Sequence, residues 1–392
     1  MRIVLAAVIS RWPFSAGMAW HWLQFVVGFK KLGHDVYFLE EVEPGWCFDG
    51  QGERCHYDRS VNRDLFRSVM ERFGLMENAC QLYHHGEATQ GLSVSEIKEA
   101  VKAADLLINM SGHATTGFIL EAARRRVYVD QDPVYTQLWN SEYKKELNFR
   151  LHDVFFSMGL NIGTSHTPIP DCGIRWNHLL PPVVPELWPD AAATGGKRFT
   201  TIASWTGYSD LFYGGKWYRS KYAEFTRFAP LAGMVDQELE IALKRFRDED
   251  PGIRLLREKG WIISDAGAIN TLESYQTFIL SSRAEIGIAQ NAYVQGNSGW
   301  FSDRSSHYLA CGKPVLAQST GFERRLPAGK GLLTFNTPEE AAEGVNRINR
   351  DYALHSEAAR EFARTYLDYR VVLPTMIEDC RATQCVAGSL ER

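Results

Sequence analysis

Residues suited to binding an anion are concentrated in one stretch of the C-terminal half, "SGWFSDRSSHYLACGKPVLAQSTGF", residues 298–322. Ser302 is placed to cap a helix whose first turn contains Asp303, Arg304 and Ser305. Backbone N–H groups at a helix start are unpaired and partly positive, so they favour phosphate, and Arg304 would add charge-assisted hydrogen bonds. The alternative is an ordinary capped helix, in which Asp303 complements the dipole and Arg304 is solvated.

The elements that must position this stretch alternate between strands and helices. Strand-like runs such as "IVLAAVI", "ADLLINM", "AEIGIAQ" and "KPVLAQS" are separated by helical patterns, and one of these patterns predicts a helix across residues 237–259. Alternation of this kind indicates the α/β class, with doubly wound parallel sheets covered by helices. In such domains ligands bind beyond the carboxyl ends of the strands, so the residues that follow each strand are the candidates for a site.

Length and proline content predict two domains. The chain has 392 residues, which is more than one hydrophobic core usually supports. The segment "LLPPVVPELWPD", residues 179–190, carries several prolines that stop helices and force an extended path. We therefore expect one Rossmann-like domain over residues 1–180 and a second over residues 190–370, facing each other across a cleft.

Charge and hydropathy exclude some classes of function. The net charge of -4 argues against a basic surface for nucleic acid. No run of about 20 apolar residues occurs, so a membrane-spanning helix is not expected. Seven scattered cysteines without a C-x-x-C motif fit reduced thiols, and predict a cytoplasmic protein.

A metal centre is not expected either. The pairs His84-His85 and Cys55-His56 lack the spacing and the carboxylate partners of a metal site, so structural or surface roles are favoured for them.

Two segments carry a family resemblance. "YLACGKPVLAQSTGF" resembles the donor-binding segment of glycosyltransferases with the two-domain GT-B architecture, notably family 4, in which an "EAMACGxPVIA" helix and strand contact the nucleotide sugar. "SAGMAWHWLQFVVGFKKLGHDVYFLE" resembles the glycine loop, helix and "GHxV" strand of the same family. More narrowly, "SRAEIGIAQ" and "YVDQDPVYTQ" are similar to a bacterial subgroup of poorly characterised predicted glycosyltransferases.

The resemblance has one departure. Members of family 4 usually carry a pair of glutamates that contact the donor, and alignment on the "ACG" at residues 310–312 puts these positions at Gly299 and His307. Both carboxylates are missing. Asp303 and Glu285 are the nearest carboxylates in sequence, and Asp303 is the better candidate for a contact with a sugar hydroxyl.

In the second domain, the resemblance implies that cations and helix dipoles meet the departing diphosphate without a metal. Lys221, in "GGKWYRSKY", is the cation favoured by position, although basic residues in a loop are usually a solvated surface. Ser204 ends a strand, where its hydroxyl would reach the same phosphates. Asp265 lies at the level where GT-B proteins bind the base. On this interpretation Arg304 and Lys221 are expected to be removable without unfolding the protein.

In the first domain, the resemblance points to four residues. Gly17 would let the backbone approach a ligand closely, and His21, in the first helical turn, would face the cleft unless it is a core histidine. His113, in "NMSGHAT", resembles by position a histidine near the donor sugar, although it also fits a helix cap. Asp132, in "YVDQDP", is a candidate general base for an acceptor hydroxyl. The loops at residues 44–63 and 210–219 would shape the acceptor pocket.

These expectations amount to a metal-independent glycosyltransferase that uses a nucleotide-diphosphate sugar and an unidentified acceptor, with no further cofactor. The first domain would be the acceptor side and the second the donor side, and a C-terminal helix within residues 371–392 would cross back to the first domain. A nucleotide-sugar epimerase of the same architecture and a non-catalytic nucleotide-sugar-binding protein are the alternatives. A nicotinamide dehydrogenase is disfavoured, because "SRWPFSAGMAW" lacks G-x-G-x-x-G.

Overall fold

The first half of the chain forms one largely parallel sheet. The computed structural model describes residues 1–191 and 196–383. Eight strands lie in the order β4-β3-β2-β1-β5-β6-β7-β8, and the β3–β4 pair alone is antiparallel. The strands are β1 Arg2–Ala6, β2 Asp35–Val42, β3 Ala79–Tyr83, β4 Ala88–Gly91, β5 Leu106–Met110, β6 Arg126–Asp130, β7 Val154–Ser157 and β8 Trp176–His178. The helices are α1 Ala16–Lys31, α2 Val61–Arg72, α3 Val94–Ala103, α4 Gly117–Ala122 and α5 Tyr135–Ser141.

The second half forms a six-stranded, entirely parallel sheet, in the order β13-β12-β9-β14-β15-β16. Its strands are β9 Phe199–Ser204, β12 Leu239–Lys244, β13 Ile262–Asp265, β14 Ala284–Gly287, β15 Val315–Gln318 and β16 Leu332–Phe335, and a hairpin of β10 Leu211–Tyr213 and β11 Lys216–Tyr218 follows β9. The helices are α6 Lys221–Arg227, α7 Pro251–Glu258, α8 Leu272–Ser281, α9 Asn291–Gln295, α10 Asp303–Ala310, α11 Pro338–Arg350, α12 Tyr352–Phe362 and α13 Tyr369–Ala382. The prediction of two Rossmann-like α/β sheets is confirmed.

One element was assigned wrongly from the sequence. The segment predicted as a single helix over residues 237–259 contains strand β12, which pairs with β9 and β13, and only then helix α7. In "ELEIALKRF", Leu239, Leu243 and Phe246 have helical spacing, whereas Leu239, Ile241 and Leu243 alternate as in a strand. Pairing between two strands buries Leu239, Ile241 and Leu243 completely, and this tertiary burial outweighs the local pattern.

The two halves are joined by contacts at several levels of the chain. The Trp20 indole of α1 donates to the carbonyl of Leu272 at the start of α8. Val183, in the proline-rich segment, pairs with the stretch before α13. Helix α13 packs against α1 so closely that a Cβ on Gly28 would lie 2.7 Å from Leu373. The exact domain boundaries stay a prediction, and residues 384–392 of the expected C-terminal helix lie outside the described residues.

No helix within residues 1–191 and 196–383 combines the length and the apolar character needed to cross a membrane.

Candidate active site

The start of α10 lies beside the carboxyl ends of the central strands of the second sheet, as the sequence predicted. Ser302 is the N-cap, but its side chain makes no capping hydrogen bond. Its hydroxyl is buried and has no hydrogen-bond partner among the described residues. Ser305, one turn into the helix, is also buried. A narrow crevice between Gly287 and Trp300 is lined by both serines. This helix start therefore combines free backbone donors with an unused hydroxyl.

Arg304 is not the solvated side chain of the alternative interpretation. Its guanidinium is buried, and its Nε donates to Glu285 Oε1 over 2.6 Å while Nη1 donates to the carbonyl of Ile202 over 2.8 Å. The second oxygen of Glu285 is buried without a hydrogen-bond partner among the described residues. Because Nε and Nη1 of Arg304 are engaged inside the protein, its removal carries a stability cost, and the expectation that the variant stays folded remains a prediction.

Lys221 is the first residue of α6 and lies near the same ion pair. Burial lowers the pKa of its ammonium to about 7, and the positive charge of Arg304 adds to this effect. Glu285 and Asp303 act in the opposite direction, because their negative charges favour the protonated amine. A lysine in these surroundings is only partly charged near neutral pH. A bound anion would restore the full charge.

The first half contributes His21 from α1. The side chain is buried, and its Nε2 lies 2.7 Å from the Gln131 amide nitrogen. Its Nδ1 lies 3.9 Å from Asp303 Oδ2 and has no hydrogen-bond partner among the described residues. Burial lowers the pKa of the imidazole, so the ring is neutral at neutral pH. The two halves thus place an unused imidazole nitrogen opposite the carboxylate at the start of α10.

His307 stands where family 4 has a glutamate, and the structure encloses it. The imidazole stacks on Trp188 with ring centroids 4.4 Å apart and planes 15° apart, and the Tyr275 hydroxyl lies 3.2 Å from its Nδ1. Burial lowers the pKa of this ring to about 3, so it is neutral. Its Nε2 is buried without a hydrogen-bond partner in the described chain. A neutral imidazole packed in this way cannot replace a carboxylate electrostatically.

Asp132, two residues after the end of β6, is held by two tyrosines of the second half. Tyr208 donates to Oδ2 over 2.9 Å and Tyr293 donates to Oδ1 over 3.2 Å. Burial is the largest effect on this group and raises the pKa of the carboxyl to about 6, partly offset by the Tyr208 hydrogen bond. The sequence analysis identified Asp132 but neither tyrosine. Tyr208 and Tyr293 lie 76 and 161 positions after Asp132, and no local pattern in the sequence links residues so far apart.

His113 lies among aromatic rings of the first half. Its imidazole packs edge to face against Trp12 at 5.6 Å and Trp22 at 6.2 Å, measured between ring centroids. Burial lowers its pKa to about 3, and the nearby Arg11 charge contributes in the same direction. His113 is therefore a neutral group on the wall of the first half, available for hydrogen bonding but not as a cation.

Gly17 serves a close contact between the two halves. A Cβ at this position would lie 2.9 Å from Cε2 of Tyr275 on α8. We expect Gly17→Ala to destabilise the protein by about 1–3 kcal/mol through overpacking, net of the gain in helix propensity. Urea unfolding followed by tryptophan fluorescence measures this. Gly117→Ala, at a helical glycine whose nearest neighbour is 3.7 Å away, is the matched control and should be neutral or stabilising. Equal stability of the two variants would contradict the contact.

Ser204 and Asp265 end two strands of the second sheet, β9 and β13, which are separated by β12. Ser204 is the last residue of β9 and is half-buried. Asp265 is the last residue of β13, is exposed, and accepts a hydrogen bond from the Gly267 N–H over 2.7 Å. Both lie at the carboxyl edge where the sequence put them. Their roles toward a ligand stay predictions, as do those of the other candidate residues.

Comparisons with known proteins agree with this architecture. Residues 239–375 match the family model described as "Glycosyl transferase-like". An α-glucosyltransferase solved with UDP and a 13-mer DNA is 15% identical, with a TM-score of 0.55, and the alignment covers 97% of this chain and 99% of that one. Anabaena HepE, solved with UDP and glucose, is 14% identical with a TM-score of 0.57 over 96% and 99%. Sucrose-phosphate synthase from Thermosynechococcus elongatus is 10% identical with a TM-score of 0.54 over 97% and 98%.

The fold of these structures and the family match define the class. The protein is a glycosyltransferase with the GT-B fold. No curated protein sequence matches the chain significantly. Placement in family 4 stays a prediction.

Proposed function

We propose that the protein transfers a sugar from a nucleoside diphosphate sugar to an acceptor hydroxyl, with the donor lying between the two sheets. One observation carries this proposal. The α10 start and Lys221, on the second half, face His21 of the first half, with Asp303 between them. The helix start and the lysine that would bind an anion thereby lie opposite a polar side chain of the first half.

The diphosphate would be held by the second half. Backbone N–H groups at the start of α10 and the Ser302 hydroxyl donate to phosphate oxygens. Lys221 becomes fully protonated beside the anion and balances the charge that grows on the leaving group. Arg304 is a positioning residue in this scheme, because its ion pair with Glu285 fixes the first turn of α10. No metal ion is required for these steps.

The sugar would lie against the first half. His21 Nδ1 has no hydrogen-bond partner among the described residues, and the Asp303 carboxylate of the second half lies 3.9 Å from it, a separation that suits hydrogen bonds to hydroxyls of one sugar ring. A buried donor that lacks a partner costs free energy, and a sugar hydroxyl relieves that cost. HepE and the α-glucosyltransferase were solved with UDP, so UDP-glucose is the first donor to test.

Asp132 is proposed as the general base. With a pKa of about 6 its carboxyl is ionised at neutral pH, yet basic enough to accept the proton of an acceptor hydroxyl. The hydroxyls of Tyr208 and Tyr293 orient the carboxylate and fix which of its lone pairs face the cleft. A pH–rate profile of the transfer reaction should show an acidic limb near pH 6.

The donor proposal is tested by thermal shift with UDP, GDP, ADP and dTDP and their glucose conjugates. A ligand bound only by the folded protein raises the melting temperature. We expect a nucleotide sugar to stabilise more than its nucleotide, and His21→Asn to remove that difference while leaving the nucleotide shift intact. His34→Asn, at a partly exposed histidine that follows α1, is the control. If none of the eight compounds shifts the wild-type protein, the proposal fails.

Three further expectations belong to this proposal. The acceptor-side domain would comprise residues 1–180 and the donor domain residues 190–370, with the C-terminal helix returning to the former. The reaction would need no cofactor besides the donor. A cytoplasmic location is proposed from the scattered cysteines, of which the six described ones are free thiols.

A further inference from the structure

A second cluster of polar side chains lies on the first half, apart from the proposed donor site. Glu43 directly follows β2, and His84 and His85 directly follow the neighbouring strand β3. One carboxylate oxygen and one nitrogen from each histidine all lie within 4.8 Å of one another. Glu43 Oε2 is 2.8 Å from His84 Nδ1, and Glu43 Oε1 is 3.8 Å from His85 Nε2. Parallel pairing brings together residues that are 41 positions apart.

The backbone at the two histidines is held in an uncommon conformation. His84 has φ 40° and His85 has φ 57°, so two consecutive non-glycine residues occupy the left-handed region. Such residues each cost free energy and persist only where surrounding interactions require them. The consequence of this turn is that both imidazoles face the same glutamate.

Each histidine also has a partner on its remaining ring nitrogen. His84 Nε2 lies 3.5 Å from Glu87 Oε1. His85 Nδ1 lies 3.3 Å from the Thr116 hydroxyl, and Glu41 in turn accepts hydrogen bonds from the Thr116 N–H and from Thr115. Metal-binding histidines characteristically have such outer partners, which fix the tautomer and the ring orientation. In the metal-free protein the His84 Nδ1–H donates to Glu43 Oε2, so a bound ion would displace that proton and take His84 Nδ1 and His85 Nε2 as its ligand atoms.

We propose that Glu43, His84 and His85 form a binding site for a divalent first-row transition metal ion, with Zn²⁺ as the best match. Two imidazole nitrogens and a carboxylate are a ligand set that this ion accepts, with solvent in the fourth position. Bonds of about 2.0–2.2 Å in tetrahedral geometry place ligand atoms about 3.4 Å apart, so small side-chain rotations suffice. The site differs from the proposed donor site, and transfer itself remains metal-independent.

The ion would act on the loop at residues 44–63. Glu43 immediately precedes the turn Pro44–Trp46, and the Trp46 ring packs against Trp12 at 5.7 Å between centroids and against the Arg11 guanidinium at 5.3 Å. Trp12 in turn contacts His113. A metal bond to Glu43 would therefore tie this loop to the end of β3 and stiffen one wall of the acceptor side.

The test uses the full chain stripped with EDTA and titrated with ZnCl₂ by calorimetry, with Co²⁺ absorption as a second readout. We expect one equivalent of Zn²⁺ to bind and to raise the melting temperature. Thr116→Val removes only an outer partner of His85 and should weaken Zn²⁺ binding by about tenfold. His84→Gln and His85→Gln each remove a ligand atom and should weaken binding by more than tenfold. His56→Gln is the matched control, because this histidine lies in the same region beside Asp58 and is 64% exposed.

Either of two results would overturn the proposal. Either the wild type binds no stoichiometric Zn²⁺, or His84→Gln and His85→Gln bind it as tightly as His56→Gln. Unchanged affinity in Thr116→Val would contradict the assigned tautomer of His85. A cooperative thermal unfolding transition of the metal-free variants, at a melting temperature close to that of the metal-free wild type, shows that they are folded, so the metal test does not depend on the donor proposal.

Discussion

Arg304→Met is expected to destabilise the protein by about 3–5 kcal/mol, the largest effect of any single change considered. The guanidinium is buried and paired with Glu285, whose carboxylate is fully buried. Removal of one partner leaves an uncompensated charge in a low-dielectric interior, which costs far more than the pair contributes as a whole. The free energy of unfolding in urea, followed by tryptophan fluorescence, measures the loss.

Two further variants separate this explanation from a general packing defect. The double variant Arg304→Met/Glu285→Leu should recover most of the stability, because replacing both charges by apolar groups removes the desolvation penalty. Arg257→Met breaks an exposed ion pair with Asp248, 2.7 Å long, and should cost no more than about 1 kcal/mol. A loss in Arg304→Met no larger than that in Arg257→Met, or no recovery in the double variant, would refute the buried-charge account.

The second large effect is a pH dependence of donor binding that originates at Lys221. Diphosphate binding needs the protonated amine, and burial lowers the pKa of the free enzyme's Lys221 to about 7. Below pH 7 the amine is already charged, whereas above pH 7 a proton must be taken up on binding. The affinity for the nucleotide sugar should therefore fall about tenfold between pH 6 and pH 8 and continue to fall about tenfold per pH unit. Calorimetric titration with the nucleotide sugar between pH 6 and pH 8 measures this change in affinity. The diphosphate diester of the donor does not titrate in this range, so the change would not come from the ligand.

Stability without donor should change in the opposite direction. The ordinary pKa of lysine is 10.5, so between about 7 and 10.5 the unfolded chain keeps a proton that the folded protein has released. The burial penalty of Lys221 is thus complete below pH 7 and is relieved as the pH rises through that window. Lys221→Met should bind donor weakly and with no pH dependence from this residue. Its gain in stability over wild type should be largest below pH 7.

Lys216→Met provides the control for both measurements. Lys216 lies five residues earlier, in the β10–β11 hairpin, and is exposed. Its removal should leave the donor affinity and its pH profile close to those of the wild type. If Lys221→Met retains the wild-type pH profile, the proposed contact between Lys221 and the diphosphate is wrong.

Much of the fold could be predicted from local sequence. Buried runs such as "RIVLA" and "LLINM" form parallel strands, as their continuous apolar character indicated, because strands covered by helices on both faces have no polar side to show. Strand β12 was not predicted, and neither were the strands β3 and β4, because short segments satisfy both periods and only pairing decides between them. The helix start at Ser302 was predicted correctly, although the Ser302 side chain makes no capping hydrogen bond.

The candidate site divides in the same way. From the sequence alone came the positions of side chains after strands, at Ser204, Asp132 and Asp265, and the missing family glutamates. Only the tertiary structure decided that Arg304 is buried against Glu285, that two tyrosines hold Asp132, and that His84 and His85 meet Glu43. Local chemistry and periodicity are properties of a few consecutive residues, whereas burial and pairing arise between strands that are far apart in the chain. For this reason many helices and strands could be predicted from the sequence, whereas the charge states and partners of their side chains could not.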